Sequence, residues 1–121
     1  MKLAPAMVEL GRLLASKGKM SEATRCYARA IKVDPGYADA YQAMGDVLYD
    51  SGSYWEAASE YRDSLIVEPA NPDVLTALAR CYVRIGECPE ARVTLLHALE
   101  LEPGHADALR ELAVLDRAKA A

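Results

Sequence analysis

VDPGYADAYQAMGDVLYDSG, residues 33–52, opens on a turn, runs with helical spacing and stops at Gly52. Nearly the same phrase returns as VEPANPDVLTALARCYVRIG at 67–86, and a third version, LEPGHADALRELAVLDRAKA at 101–120, keeps the opening and changes the ending. The spacing is 34 residues. Pro35, Pro69 and Pro103 share it, as do Gly18, Gly52 and Gly86, and Ala23, Ala57 and Ala91. Two further columns keep step. Gly11, Gly45, Ala79 and Ala113 are small, and Leu10, Met44, Leu78 and Leu112 are large and apolar. A fixed period between about 20 and 50 residues marks a stacked repeat array.

Within one unit the punctuation predicts two helices. Tyr41, Met44, Gly45 and Leu48 recur at offsets of three, four and seven, the stripe of one helical face. Gly52 suits the left-handed residue that ends such a helix. Ser53 followed by Glu56 reads as a capping box opening the next helix, whose stripe is Ala57, Tyr61, Ser64 and Leu65. Pro69 closes it, because proline has no amide proton to donate and disfavours helix in the residue before it. Small residues belong where helices cross closely, and Gly45 is expected to lie opposite Ala57.

The chain has 121 residues, formal charge -4 and no Phe. That length suits one domain, expected over 1–121, with repeats at about 4–37, 38–71 and 72–105 and a last helix over 106–121. The acidic balance argues against a nucleic-acid partner, since such binding starts with Lys and Arg neutralising phosphates. No apolar run approaches the roughly 18 residues of a membrane span, so no membrane partner and a cytoplasmic location are expected. Cys26, Cys81 and Cys88 form neither an even disulfide set nor a zinc-ligand pattern and read as ordinary thiols. His97 and His105 stand apart from any catalytic spacing, and the sequence has no phosphate loop or nucleophile elbow. Neither an enzyme, a cofactor nor a metal site is expected.

These columns resemble the tetratricopeptide repeat (TPR). The resemblance is carried by Leu10, Gly11, Leu14, Ala23, Tyr27, Ala30 and Pro35 in the first unit. The second contributes Tyr41, Met44, Gly45, Leu48, Ala57, Tyr61, Ser64 and Pro69, and the third Leu75, Leu78, Ala79, Tyr82, Ala91, Leu95, Ala98 and Pro103. It implies an all-α, right-handed solenoid of three helix-turn-helix units, with first helices lining a concave groove and second helices forming an outer wall. It also implies a non-catalytic adaptor or scaffold that binds a segment of a partner protein in that groove. The last helix departs from the pattern: Asp116 stands where Leu14, Leu48 and Tyr82 stand, and a carboxylate there suits a solvated end.

By helical phase the partner-binding positions are Val8, Arg12, Gln42, Asp46, Tyr49, Asp50, Thr76, Arg80, Val83 and Arg84. Arg12, Asp46 and Arg80 share one phase, and Asp50 and Arg84 another. Each set reads either as a strip that sets a peptide's register or as a salt-bridge ladder between repeats; the ladder is favoured for Asp50 and Arg84. Asp39, Asp73 and Asp107 fall in first helical turns, where the helix dipole favours them. Tyr49 reads as a binding anchor or as packing under a neighbouring unit, and Trp55 as an exposed anchor or a cover for the turn.

Co-chaperones of this family grip the C-terminal carboxylate of heat-shock chaperones with Lys, Asn and Arg. The matching positions here are Val8, Arg12, Ala43, Asp73 and Ala77, of which only Arg12 is a suitable donor, so such a ligand is excluded at this point. The alternative to groove binding is self-association into a homo-oligomer through apolar residues such as Leu3 and Met7 at the open N-terminal end.

Overall fold

The computed structural model describes residues 2–120, and residues 1 and 121 of the expected domain lie outside them. The described chain is seven helices without a strand: α1 (Leu3–Ser16), α2 (Met20–Val33), α3 (Ala38–Asp50), α4 (Tyr54–Val67), α5 (Pro72–Arg84), α6 (Cys88–Leu101) and α7 (Ala106–Ala120). Each odd helix pairs with the even helix that follows, and each even helix packs on the next odd one. Contacts of α1 with α3 and of α5 with α7 define an inner row, with α2, α4 and α6 outside it. The fold is the all-α solenoid that the 34-residue period predicts.

The period is built by recurrent chain reversals. Gly18, Gly52 and Gly86 have φ of 78°, 85° and 84°, the left-handed region where a side chain is strained. Around Gly52 the Ser53 N–H donates to Leu48 O at 2.8 Å and the Gly52 N–H to Tyr49 O at 3.0 Å, the Schellman pattern that satisfies the final carbonyls of a helix. Lys19 with Leu14 and Glu87 with Tyr82 repeat it.

The expected capping box at Ser53 is absent, for no side chain there accepts from the helix. Side-chain caps sit instead on inner helices. Asn71 Oδ1 accepts from the Val74 N–H at 3.2 Å, and His105 Nδ1 from the Ala108 N–H at 3.1 Å. Tyr37 holds the same repeat position but has no acceptor short enough to reach back; its hydroxyl donates to Asp39 at 3.3 Å.

Paired helices lock through a glycine and a ring. A Cβ on Gly45 would lie 2.6 Å from Tyr61 Cε1, and one on Gly11 2.4 Å from Tyr27 Cε1. The partner of Gly45 is therefore the Tyr61 ring rather than the expected Ala57, which is buried one turn earlier on α4. Both tyrosines are buried, and covering a ring of that size stabilises the fold by about 1.5–3 kcal/mol. In the third repeat Ala79 replaces the glycine and Leu95 the tyrosine, both fully buried. Ser64, buried on α4, adds a hydrogen bond to Ala38 O at 3.1 Å.

Candidate functional site

The inner row presents a concave wall, and two cavities open on it. One of about 330 Å³ is lined by Asp46, Tyr49, Asp50, Tyr61, Ala77 and Arg80. The other, about 340 Å³, includes Arg12, Ser16, Met20, Tyr27, Ala43, Asp46 and Asp50 in its lining. Asp46 and Asp50 border both because they lie one turn apart on α3, the helix between α1 and α5. Arg12, Asp46, Tyr49, Asp50 and Arg80 thus line two adjoining cavities, and Gln42, Val83 and Arg84 retain surface.

Two of the phase-predicted positions have no surface to offer. Val8 is buried in the core shared by α1, α2 and α3. Thr76 is buried too, and its hydroxyl donates back to Pro72 O at 2.8 Å. Val8 sits where α1 meets α3, a contact that single-helix phase does not contain.

The charged ladder differs from the expected one. Among the described residues no ion pair joins Asp50 to Arg84, nor Asp46 to Arg12 or Arg80. Arg80 reaches α7 instead, with Nε 3.1 Å from Glu111 and a second nitrogen 3.7 Å from Asp107. Arg12 pairs with Glu9 at 3.4 Å. Arg84 donates to the Tyr49 hydroxyl at 3.3 Å and lies 5.5 Å from the Tyr54 ring centre.

Tyr49 and Tyr54 meet edge to face with centroids 5.1 Å apart, a favourable aromatic arrangement. Tyr49 is consequently half-buried and oriented, whereas Trp55 stands exposed. Tyr54 belongs to an outer helix, so helical phase on α3 does not reach it; its signal in the sequence is its place just past the Gly52 turn.

Asp46 accepts a hydrogen bond of 2.5 Å from the Tyr61 hydroxyl. Burial against the helices raises its carboxyl above the ordinary value, opposed by that hydrogen bond and by the Arg12 and Arg80 charges. Burial first, and Asp46 second, raise the Tyr61 phenol well above its usual range. The Cys81 thiol, buried under the same wall, is pushed up to about 11, so it is held as the unreactive thiol. His105 is buried with Nε2 2.6 Å from Asp73 of α5, while His97 is exposed on α6. Asp116 is exposed as expected and pairs with Arg92.

Residues 11–52 match a TPR repeat model, and residues 48–115, more than half of the chain, match a tetratricopeptide repeat model. The chain belongs to the tetratricopeptide-repeat family. No curated protein matches its sequence.

Among solved structures, the first TPR domain of Spaghetti (RPAP3) bound to the HSP90 peptide SRMEEVD superposes with a TM-score of 0.93 at 21% identity, covering 98% of this chain and 94% of that one. The second TPR domain of human RPAP3, in complex with the HSP70 peptide SGPTIEEVD, gives 0.89 at 22% identity over 94% and 95% of the two chains. A crystal structure of MamA gives 0.89 at 17% identity, covering 98% of this chain and 70% of that chain.

The exclusion of a heat-shock chaperone ligand is overturned by these similarities, since two of the similar TPR domains carry HSP90 and HSP70 peptides. The exclusion rested on side-chain identity at five positions.

Proposed function

We propose that this TPR domain is a protein-interaction module, a non-catalytic adaptor or scaffold that holds a segment of a partner protein against α1, α3 and α5. The observation that carries this reading is the depression around Asp46 and Asp50, where two cavities adjoin and acidic, aromatic and guanidinium groups surround a space the chain does not fill. An extended or helical segment bearing both signs of charge fits such a wall. The peptide-bound RPAP3 domains support a peptide ligand on this fold, and SRMEEVD and SGPTIEEVD are the first ligands to titrate.

Tyr49 and Arg80 are the contact residues to remove. The expected affinity is micromolar, corresponding to about -8 kcal/mol. Affinity capture from the native source, read by mass spectrometry, should lose a partner when Tyr49→Ala and Arg80→Ala are combined, with the helical signal and a cooperative melt retained. Equal capture by the double variant counts against the groove.

A further inference from the structure

The inner helices share one repeat register, but one face of α1 is treated unlike its equivalents. Leu10 is 51% exposed, whereas Leu78 at the same position of α5 is 5% exposed. Leu13 is 54% exposed, whereas Val47 and Leu115, its counterparts on α3 and α7, are 8% and 9% exposed. Ala6 is exposed where Ala40, Val74 and Ala108 are fully buried. With Leu3, also exposed, these residues form a stripe spaced three, four and three, the alternation by which one helix seats on another.

The molecule shows three times what covers this face. On α3, α5 and α7 the equivalent residues lie in apolar clusters with the preceding outer helix. For α5, the α4 residues Ala57, Ala58, Tyr61 and Leu65 pack in one cluster with Val74, Leu78 and Cys81. Small and large apolar residues alternating along an amphipathic helix are therefore the matching shape.

Charge selects among possible occupants. Lys2 and Lys17, both exposed, bracket the α1 stripe at its two ends. Two copies packed α1 on α1, in either direction, set lysine against lysine, and like charges so placed repel. A helix with carboxylates beside its apolar stripe meets both lysines favourably.

We infer that the Leu3, Ala6, Leu10 and Leu13 face of α1 is a second docking surface, which seats an amphipathic, acidic-flanked α-helix of a partner protein. It shares no residue with the groove lining, so the two sites are separable.

The probe is a synthetic peptide of residues 53–68, SYWEAASEYRDSLIVE, acetylated and amidated. It reproduces the α4 stripe and carries Glu56, Glu60, Asp63 and Glu68 against one arginine. Titrated into the full chain, it should shift backbone amide resonances along α1 in a saturable manner, and weaken when salt rises from about 50 to about 500 mM. Leu10→Glu with Leu13→Glu should lower its affinity at least about tenfold without changing the melting temperature, since both side chains are already half in water. Lys17→Glu should weaken it several-fold. Shifts confined to the groove, or equal affinity for the double variant, overturn the proposal. So does a concentration-dependent mass of the chain alone that Leu10→Glu with Leu13→Glu abolishes, because a second copy then covers the face.

Discussion

In the second repeat Gly45 faces the Tyr61 ring, and in the third Ala79 faces Leu95 at the same crossing. One methyl group gained on the inner helix accompanies a smaller side chain on the outer one, as dense packing requires. The exchange also changes the groove. Tyr61 carries a hydroxyl through the crossing to Asp46, whereas Leu95 carries nothing. Arg80, the third-repeat counterpart of Asp46, turns instead to Glu111 and Asp107 on α7. How two helices cross thus influences which charges remain available on the concave wall.

The largest expected effect comes from emptying the third-repeat crossing. Leu95→Ala removes a fully buried side chain and should cost about 2–5 kcal/mol by chemical denaturation; a loss below about 0.5 kcal/mol means the crossing is loosely packed. Gly45→Leu should cost on the order of 1–3 kcal/mol, since even its first carbon collides with the Tyr61 ring. Gly45→Ala tests the comparison directly. Added to Tyr61→Leu it recreates the third-repeat pair, and the combined loss should be smaller than the sum of the two single losses. Simple additivity breaks the equivalence of the crossings.

Asn71→Ala should cost about 1 kcal/mol through loss of the α5 cap. Tyr37→Ala, at the same repeat position, removes no cap and should lose only the packing of its ring on the α1–α3 core. Asn71→Ser, which keeps a capping oxygen, should recover most of the Asn71→Ala loss, and no recovery contradicts the assignment.

The smallest effect depends on pH. Because the Asp46 carboxyl is raised in the folded state, its contribution is fully present below the ordinary carboxylate value of about 4 and is lost as pH rises through the folded value. Asp46→Asn should therefore gain stability relative to the parent between pH 4 and pH 7 in paired urea melts. A gain on acidification instead reverses the sign and refutes the desolvation account.

The helical pairs, their turns and the small-residue column were legible because each follows from local rules repeated three times. Proline ends a helix, glycine accepts positive φ, and a stripe at helical spacing must be buried. The groove was legible only in part. Helical phase placed Arg12, Asp46, Tyr49, Asp50 and Arg80 on the inner wall, but assigned Val8 and Thr76 there as well. Val8 is buried against the neighbouring inner helix, and the hydroxyl of buried Thr76 is satisfied within its own helix by Pro72. The Ser53 capping box failed for a related reason. A motif states which residues are able to cap, whereas backbone geometry at the helix entry decides whether the hydroxyl reaches an amide.

The 34-residue period, the helix pairs and an inner row carrying both signs of charge follow from composition and spacing alone. The stacking of the helices settles that Tyr61, not Ala57, fills the space at Gly45, that Arg80 joins α7 rather than Asp46, and that Leu10 stands open while Leu78 is closed. Those outcomes depend on which residues of separate helices come within a few ångströms of one another. Spacing along one chain specifies faces, but contact between faces depends on how the helices stack.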